Sequence, residues 1–335
     1  MCAEPLTVFV GSWNLQAQDL SKLSGHSDLE EWLFPDCKGG AVPDIVAVGL
    51  QEVVSVNPAA CIWKAIGDHF QFNGPGADVE AKVFDRLQMR GRYVKLRSVE
   101  MVGLYLMCFV KETLAEHVQE VDADRVRLSA EGVAGKKGAV AIRFAICGNA
   151  FCFVNVHLPS GQFNLQQRTA ALQQILAEGF QGLNVVGGRR PPKHGFKRES
   201  RYTIRGHPGA FMFGDFNFRL GIRLEDWRKL RPQNWEELVG FDELVMAEED
   251  PVLACLREGA LSFVPTYKYL RGSSEFDEKR LPAWTDRIFH IADAGSVLQL
   301  CYGTHLGLNI SDHRPIFGLF RSLHGNPDLT KEETA

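Results

Sequence analysis

Carboxylate, amide and imidazole side chains follow the ends of several apolar segments in this sequence. Asn14 closes TVFVGSWN, Glu52 closes PDIVAVGLQE, and His157 follows FCFVNV. The segments AFMFGDFNFRL, WTDRIF and ISDHRP supply the remaining members of the set, which are Asp215, Asn217, Asp286, Asp312 and His313. Any one of these residues is most simply a turn or cap residue. Together they indicate a functional site, because sheet proteins gather their site residues where strands end.

The chemistry that these side chains favour is hydrolysis assisted by a metal ion. The set offers oxygen ligands without neighbouring thiols, which Mg²⁺ prefers and Zn²⁺ does not. The sequence contains neither a G-x-S-x-G nucleophile elbow nor a P-loop. The pattern therefore predicts attack by a water molecule rather than a covalent intermediate.

Short apolar segments are predicted to be the strands that position these side chains, because nearly continuous apolar runs suit strands buried on both faces. The predicted strands are Thr7–Trp13, Ile45–Leu50, Leu104–Val110, Ala139–Ile146, Phe151–His157, Phe211–Phe213, Arg287–Ile291 and Ile316–Phe320. The predicted helices are Leu29–Phe34, Pro58–Asp68, Leu165–Glu178, Leu224–Lys229, Asn234–Val239 and Asp250–Glu258. Strands and helices alternate without a linker, so we expect a single α/β catalytic domain over residues 1–323 and a polar tail over residues 324–335.

Composition restricts the class of protein. The chain has 335 residues, of which 45% are apolar and 23% charged, and its net charge is −4. These values are typical of a soluble globular protein and not of a basic nucleic-acid-binding protein. The eight cysteines include no C-x-x-C pair, which favours a reducing compartment. With no secretory signal or membrane span in the sequence, the expected location is the cytoplasm or the cytosolic face of a membrane, and the expected state is a monomer.

One segment, Leu183–Ala210, is strongly basic. It carries seven Lys and Arg residues against the single acid Glu199. A solvated loop is one interpretation of such a charge run. The other is a basic arm that contacts anionic lipid headgroups, which would give the protein peripheral contact with a membrane.

Seven motifs, in order along the chain, resemble those of the inositol polyphosphate 5-phosphatase family. They are GSWN, GLQE, NVHL, GDFN, PTYKY, RLPAWTDR and SDHRP, and they extend from about Thr7 to Phe320. GDFN and SDH are shared by the wider deoxyribonuclease I-like superfamily, whereas the pairing of PTYKY with PAWTDR is specific to the 5-phosphatases. The resemblance implies a four-layer αββα sandwich of two packed, mostly antiparallel sheets flanked by helices, with the site at one end of the sheets.

The resemblance also implies roles around a metal ion and a water molecule. Glu52 should bind Mg²⁺, with Asn14 beside it as a second ligand or as the partner of a ligand. Asp215 should orient or deprotonate the attacking water. Asn217 should hold that water or a phosphate oxygen.

Four more residues should act on the scissile phosphate. His157 and His313 should donate hydrogen bonds to it as negative charge builds. Asp286 should fix the tautomer and orientation of His313. Asp312 should complete the polar network near the metal.

Substrate recognition needs further cations, because an inositol ring carries phosphates that are not removed. Tyr267 and Lys268 in PTYKY, with Lys279 and Arg280 before PAW, resemble the family's clamp for the 4-phosphate. Lys137 in GKKG resembles a lysine that approaches the 1-phosphate. The implied substrates are phosphoinositides, such as phosphatidylinositol 4,5-bisphosphate or 3,4,5-trisphosphate, and soluble inositol polyphosphates, and the implied reaction is loss of the 5-phosphate.

The sequence departs from the family pattern at several points. Thr285 stands where the family has Cys in PAWCDR, Lys136 replaces an Asn in GNKG, and the spacing before PAW is one residue short, which affects the match at Lys279. Two alternatives stay open. The chain could be another phosphoesterase of the superfamily, such as a nuclease, deadenylase or sphingomyelinase, or an inactive phosphoinositide-binding module. The presence of every site residue argues against the second.

Overall fold

The computed structural model describes residues 5–20, 27–37, 42–53, 75–101, 103–128, 137–181, 202–230, 235–247, 249–291 and 297–323. The strands in these ranges are β1 Thr7–Asn14, β2 Ile45–Gln51, β3 Tyr93–Met101, β4 Leu104–Lys111, β5 Val118–Arg127, β6 Gly138–Ile146, β7 Asn149–His157, β8 Gly209–Asp215, β9 Asp286–His290, β10 Val297–Thr304 and β11 Ile316–Ser322. They form one sheet of order β10-β11-β1-β2-β4-β3 and a second of order β5-β6-β7-β8-β9. Neighbouring strands are antiparallel except for the pairs β1–β2 and β7–β8.

Helices flank the two sheets. They are α1 Ser27–Leu33, α2 Pro75–Arg90, α3 Leu165–Glu178, α4 Leu224–Leu230, α5 Glu236–Val239 and α6 Glu243–Met246, and short 3₁₀ turns cover Glu112–His117, Ile204–Gly206 and Leu253–Cys255. None of the helices within the described ranges has the length and apolar character needed to cross a bilayer.

The core consists of three large apolar layers and a smaller fourth cluster. The central one fills the space between the sheets, where the Phe211 ring of β8 packs against the Phe320 ring of β11 with centroids 4.9 Å apart. A second layer, which includes Leu172, joins α3 to the outer face of the β5–β9 sheet. A third, which includes Trp32 and Val83, joins α1 and α2 to the outer face of the other sheet. Each large side chain buried in this way contributes about 1.5–3 kcal/mol. The four-layer αββα sandwich is confirmed.

Strand register brings the polar strand ends to one edge of the sandwich. In the second sheet His157 lies opposite Asp215, and Asp215 lies opposite Asp286. In the first sheet Asn14 lies opposite Gln51, the residue before Glu52. Because the members of each parallel pair end on the same side, the predicted residues of both sheets meet there.

A buried amide joins the two sheets just below this edge. Asn155 of β7 donates hydrogen bonds through Nδ2 to the carbonyl oxygens of Leu50 at 3.0 Å and Tyr105 at 2.9 Å. Its Oδ1 accepts a hydrogen bond from Gln51 Nε2 at 2.6 Å. Gly49 permits this approach, since a Cβ there would lie 2.7 Å from Asn155 Cγ. Polar groups buried this deeply must be paired, so Asn155 fixes how the sheets sit against each other at the site.

The predicted strands all exist, with ends that differ by at most two residues. The sequence missed β3, β5 and β10, which are edge strands of their sheets. All three strands are partly solvated; β3 and β5 carry charges of the kind that protect an edge from further pairing, and β10 reads VLQLCYGT, with almost every residue half-buried. Such strands lack the continuous apolar run on which the prediction relied.

Helix predictions were less accurate. Leu165–Glu178 is correct to the residue, whereas α2 was missed despite buried residues at Val79, Val83 and Leu87, a spacing typical of an amphipathic helix. The predicted helix Asp250–Glu258 is wrong. Only Leu253–Cys255 forms a 3₁₀ turn, because Arg257 then pairs in extended conformation with His290 of β9. The predicted helix Pro58–Asp68, Lys136, the tail and most of the basic segment lie outside the described residues.

A disulfide joins Cys37, after α1, to Cys301 of β10. The two cysteines are 264 residues apart in sequence, and nothing in their spacing signalled the pair. Disulfides persist mainly in oxidising surroundings. The described residues also include the free thiols Cys108, Cys152 and Cys255, and the reducing compartment that the cysteine pattern favoured stays a prediction.

Replacing both Cys37 and Cys301 with Ser should lower the free energy of unfolding by about 2–5 kcal/mol, because the bond closes a very long loop. Urea unfolding followed by tryptophan fluorescence measures the loss. Cys255→Ser is the matched control, since Cys255 is a free, half-buried thiol. If both variants unfold at the same urea concentration as the wild type, the disulfide does not stabilise the fold.

Candidate active site

A polar pocket of about 220 Å³ opens at the edge where the strand ends meet. Its lining comprises Gln16, Glu52, Lys137, His157, Ser160, Asp215, Asn217, Arg219, Tyr267, Lys268, Asp312 and His313. Nine of these residues were predicted from the sequence. Two further predicted residues, Asn14 and Asp286, are buried directly behind the lining and contact it. The exposed residues Lys279 and Arg280 do not line the pocket.

His157 is the central residue in the part of the pocket that the second sheet forms. Its Nε2 lies 3.3 Å from Asp215 Oδ2 and 3.7 Å from Glu52 Oε1, and it contacts the Lys137 ammonium. Burial, together with the charge of Lys137, lowers the pKa of His157 below its ordinary value, although Asp215 opposes the shift. The His157 imidazole is therefore neutral at neutral pH.

Asp215 is the hydrogen-bonding hub of the pocket. Its Oδ2 accepts from Asn14 Nδ2 at 2.9 Å, which joins the two sheets, and its Oδ1 accepts from the backbone N–H of Asn217 at 2.9 Å. Burial would raise the pKa of Asp215, but the hydrogen bond with His157 and the charge of His313 hold it well below the ordinary range. The group is consequently a carboxylate throughout the physiological pH range.

His313 and Asp286 form a buried ion pair. His313 Nδ1 lies 2.8 Å from Asp286 Oδ2, which also accepts hydrogen bonds from the hydroxyls of Thr266 at 2.7 Å and Thr285 at 2.9 Å. Burial alone would lower the pKa of His313, but the charge of Asp286 and its hydrogen bond raise it to about 9. His313 therefore presents a protonated imidazole to the pocket at neutral pH.

Asn217 and Tyr267 are held by Arg219. The Arg219 guanidinium donates through Nη2 to Asn217 Oδ1 at 2.5 Å and lies over the Tyr267 ring, 4.7 Å from its centroid. Asn217 Nδ2 donates to the carbonyl oxygen of Leu158 at 3.1 Å, so both ends of the amide are fixed. The Tyr267 ring also contacts the His313 ring, with centroids 4.6 Å apart. These contacts orient one amide and one aromatic ring toward the same space.

The donor chemistry of the pocket fits a hard divalent cation. Glu52 has a φ of 51° and an exposed fraction of 43% for its side chain, and its Oε1 accepts from Asn14 Nδ2 at 3.4 Å. A bulky residue at positive φ is strained, and strain of this kind concentrates at functional sites. The buried Oδ1 atoms of Asp286 and Asp312 have no hydrogen-bond partner among the described residues. A bound cation or an ordered water would satisfy oxygen acceptors left unpaired in this way.

Two groups of potential ligands in the described ranges are compact enough to share one ion. One is Asp215, Asp286 and His313, whose ligand atoms lie within 4.8 Å of one another in the pocket. The other is Asp28, Glu31 and His305, beside α1. Only the first group lies among the residues that the motifs singled out.

The cations differ in how they are placed. Lys268 lines the pocket and its Nζ lies 3.5 Å from Asp277 Oδ2. Lys279 and Arg280 follow Asp277 in the exposed stretch before PAW, where the backbone N–H groups of both bond to Asp277. Of the clamp expected for the 4-phosphate, the structure thus brings Tyr267 and Lys268 to the pocket.

Three lining residues were not assigned from the sequence, namely Gln16, Ser160 and Arg219. Gln16 lies two residues after Asn14, Arg219 lies two residues after Asn217, and Ser160 follows His157 by three. Proximity to an assigned residue was therefore a usable signal. What the sequence lacked was the direction of each side chain, which depends on the tertiary fold.

Comparison with known proteins agrees with the motifs. Residues 11–319 match the sequence model of endonuclease/exonuclease/phosphatase family 2. The polyphosphatidylinositol phosphatase INP53 of Saccharomyces cerevisiae is 32% identical over 95% of this chain. The chain spans 26% of the length of INP53. The resemblance to inositol polyphosphate 5-phosphatases that the motifs indicated is confirmed.

Solved structures agree on the fold. The 5-phosphatase domain of SPsynaptojanin, solved with inositol (1,4)-bisphosphate and calcium ion, is 29% identical, with a TM-score of 0.72 over 95% of this chain and 84% of that one. Cimex nitrophorin, solved as a ferrous NO complex, is 21% identical, with a TM-score of 0.66 over 95% of this chain and 99% of that one. The second likeness concerns the fold alone. Since one fold hosts different functions, the site residues and not the fold distinguish the function.

Proposed function

Because the chain belongs to endonuclease/exonuclease/phosphatase family 2, we propose that it hydrolyses the 5-phosphate of phosphoinositides or soluble inositol polyphosphates. The observation that carries the proposal is the convergence of Asp215, His313 and Lys268 on one pocket. The first two can act on a scissile phosphate, and the third can hold a neighbouring one. A general phosphodiesterase has no need of that third group.

Mg²⁺ is the proposed cofactor, held by Glu52 with Asn14 beside it. When bound, the ion supplies positive charge to a phosphate whose oxygens become more negative during the reaction. The oxygen donors of the pocket support this choice over zinc. The 3.4 Å contact between Asn14 Nδ2 and Glu52 Oε1 supports a role for Asn14 in holding the Glu52 carboxylate.

His313 is proposed as the donor to the scissile phosphate. A pKa of about 9 keeps it protonated at neutral pH, and a charged donor bonds more strongly to an oxyanion than a neutral one. Asp286 holds the imidazole through Nδ1, which leaves the Nε2–H for the substrate. His157, neutral and beside Asp215, is proposed as the second donor.

Asp215 and Asn217 are proposed to position the attacking water. A carboxylate whose pKa lies far below the ordinary range is a weak base, so its low pKa favours orienting the water over removing its proton. The fixed amide of Asn217 supports the same role, because a hydrogen-bond partner that does not move lowers the cost of alignment.

Lys268 and Tyr267 are proposed to read the 4-phosphate, and Lys137 the 1-phosphate. For Lys279 and Arg280, contact with the 4-phosphate stays a prediction, since both residues lie outside the pocket lining. Contact with an anionic membrane through the basic segment, the monomeric state, the lack of a nucleic-acid partner and a cytoplasmic location stay predictions as well.

Phosphate release from a substrate panel tests the proposal. The panel holds inositol 1,4,5-trisphosphate, vesicles with phosphatidylinositol 4,5-bisphosphate or 3,4,5-trisphosphate, and single-stranded DNA, each with Mg²⁺ and with EDTA. We expect magnesium-dependent release from the inositol compounds and an intact DNA. Cleavage of the DNA, together with no phosphate release from any inositol compound, would place the chain among the nucleases of its superfamily.

A further inference from the structure

Gln16 connects a site carboxylate to a distant cation. Its Nε2 donates to Asp312 Oδ2 at 2.9 Å, and its Oε1 accepts from Arg271 Nε at 2.6 Å. The Gln16 backbone N–H donates to Asn14 Oδ1 at 3.0 Å. Gln16 has a φ of 45°, so its backbone no longer follows the extended conformation of β1. The amide is therefore fixed at both ends, and through it Arg271 is tied to the pocket from 255 residues away.

The segment that carries Arg271 is itself held in place. Before Arg271, the backbone N–H of Tyr269 donates to the carbonyl oxygen of Asp312 at 2.9 Å. After it, the N–H of Gly272 donates to the carbonyl oxygen of Asn309 at 2.8 Å. Arg271 is exposed, yet its backbone is anchored on both sides to the loop that carries Asp312. Its position next to the lining residue Gln16 is thus set by the fold.

Arg271 also has no ion-pair partner within the described part of the chain. No carboxylate among those residues lies within 4.0 Å of it, whereas Lys268 is paired with Asp277. Its Nε is engaged by Gln16, which leaves the two terminal nitrogens of the guanidinium for another acceptor. A guanidinium presented in this way matches two oxygens of one phosphate. Burial raises the pKa of Asp312, and the charge of Arg271 opposes that rise. Arg271 therefore interacts electrostatically with a carboxylate of the pocket.

We propose that Arg271, positioned by Gln16, is a specificity-determining residue that binds a ring phosphate other than the one removed. The inference rests on the proposed function and adds a contact to it. Gln16 sets the distance: it touches Asp312 with one end and Arg271 with the other, so the guanidinium is held about one glutamine side chain away from the carboxylates of the site. That offset suits a phosphate elsewhere on the ring and not the scissile one.

Steady-state kinetics on two soluble substrates tests the inference. Arg271→Gln should lower kcat/KM for inositol 1,4,5-trisphosphate by about tenfold or more, mainly through KM, because a charged hydrogen bond to phosphate is lost. The same variant should change kcat/KM for inositol 5-monophosphate by less than about twofold. Arg92→Gln is the matched control, since Arg92 is an exposed arginine paired with Glu112 in a different part of the fold. Equal losses on both substrates, or no loss on either, would overturn the assignment.

A binding measurement separates this inference from the proposed function. Calorimetry of inositol 1,4,5-trisphosphate in EDTA, where turnover is not expected, should show affinity about tenfold weaker for Arg271→Gln than for the wild type. Unchanged affinity would refute the role of Arg271 even if the wild-type enzyme is active. A wild type that binds with this dependence on Arg271 but releases no phosphate would refute the catalytic proposal alone.

A double-mutant cycle tests the part played by Gln16. Gln16→Met keeps the shape of the side chain but removes both hydrogen bonds. In that background Arg271→Gln should weaken binding by clearly less than it does in the wild type, because the guanidinium is no longer held in place. Full additivity of the two substitutions would mean that Gln16 does not position Arg271.

Discussion

Asp215→Asn should lower kcat by about a thousandfold, within the range of losses seen when a positioned catalytic carboxylate is removed. The carboxylate accepts hydrogen bonds from Asn14 Nδ2 through one oxygen and from the Asn217 N–H through the other. An amide offers one acceptor in place of two, and it removes the negative charge that lies 3.3 Å from His157 Nε2. Turnover of inositol 1,4,5-trisphosphate at saturating substrate is the measurement.

The fold should survive this substitution, because the volume is nearly unchanged and the backbone of Asp215 stays paired in β8. Asp124→Asn is the matched control. Asp124 is a buried carboxylate of β5 that accepts from the backbone N–H groups of Phe180 and Arg125, outside the pocket lining. It should cost stability without lowering the kcat of the folded enzyme. An Asp215→Asn enzyme with kcat within tenfold of the wild type would refute the role assigned to this carboxylate.

Asp286→Asn should lower activity by about a hundredfold at pH 8 and move the alkaline limb of the pH profile to lower pH. In the wild type, burial favours neutral His313, but the Asp286 charge outweighs burial and raises the pKa to about 9. The imidazole of His313, the proposed donor, is therefore protonated below that pH and neutral above it. Without the Asp286 charge, burial acts with less opposition, so the pKa of His313 falls and the neutral imidazole forms at lower pH.

The profile of kcat/KM between pH 6 and pH 10 measures this shift. The ratio of wild-type to variant activity should grow as pH rises from 6 toward 9. Thr285→Ala is the control, since it removes a 2.9 Å hydrogen bond to Asp286 but no charge, and its alkaline limb should stay close to that of the wild type. Identical alkaline limbs for Asp286→Asn and the wild type would show that His313 is not the titrating donor.

Much of the site was predictable because strand ends gather residues by a simple geometric rule. His157, Asp215 and Asp286 end or begin strands that are neighbours in one sheet, and the register places them side by side. Asn14 and Glu52 reach the same edge through the parallel pairing of β1 with β2. The apolar runs that identified those strands are continuous because the strands are buried on both faces.

The remainder depended on contacts that no local pattern encodes. Arg271 and Gln16 meet across 255 residues, and Cys37 and Cys301 across 264. The direction of Arg219, which sets both Asn217 and Tyr267, is likewise a product of packing. Three of the four edge strands, β3, β5 and β10, were missed because their mixture of polar and apolar residues reflects exposure to solvent rather than a buried sheet.

The identity of the phosphate that leaves decides whether this chain is a 5-phosphatase. Inositol 1,4,5-trisphosphate would be incubated with the protein and Mg²⁺, and the product resolved by ³¹P NMR against authentic bisphosphate standards. We predict inositol 1,4-bisphosphate and an equal amount of inorganic phosphate, with neither formed in EDTA. Loss of the 1- or 4-phosphate, or an unchanged trisphosphate, would contradict the account.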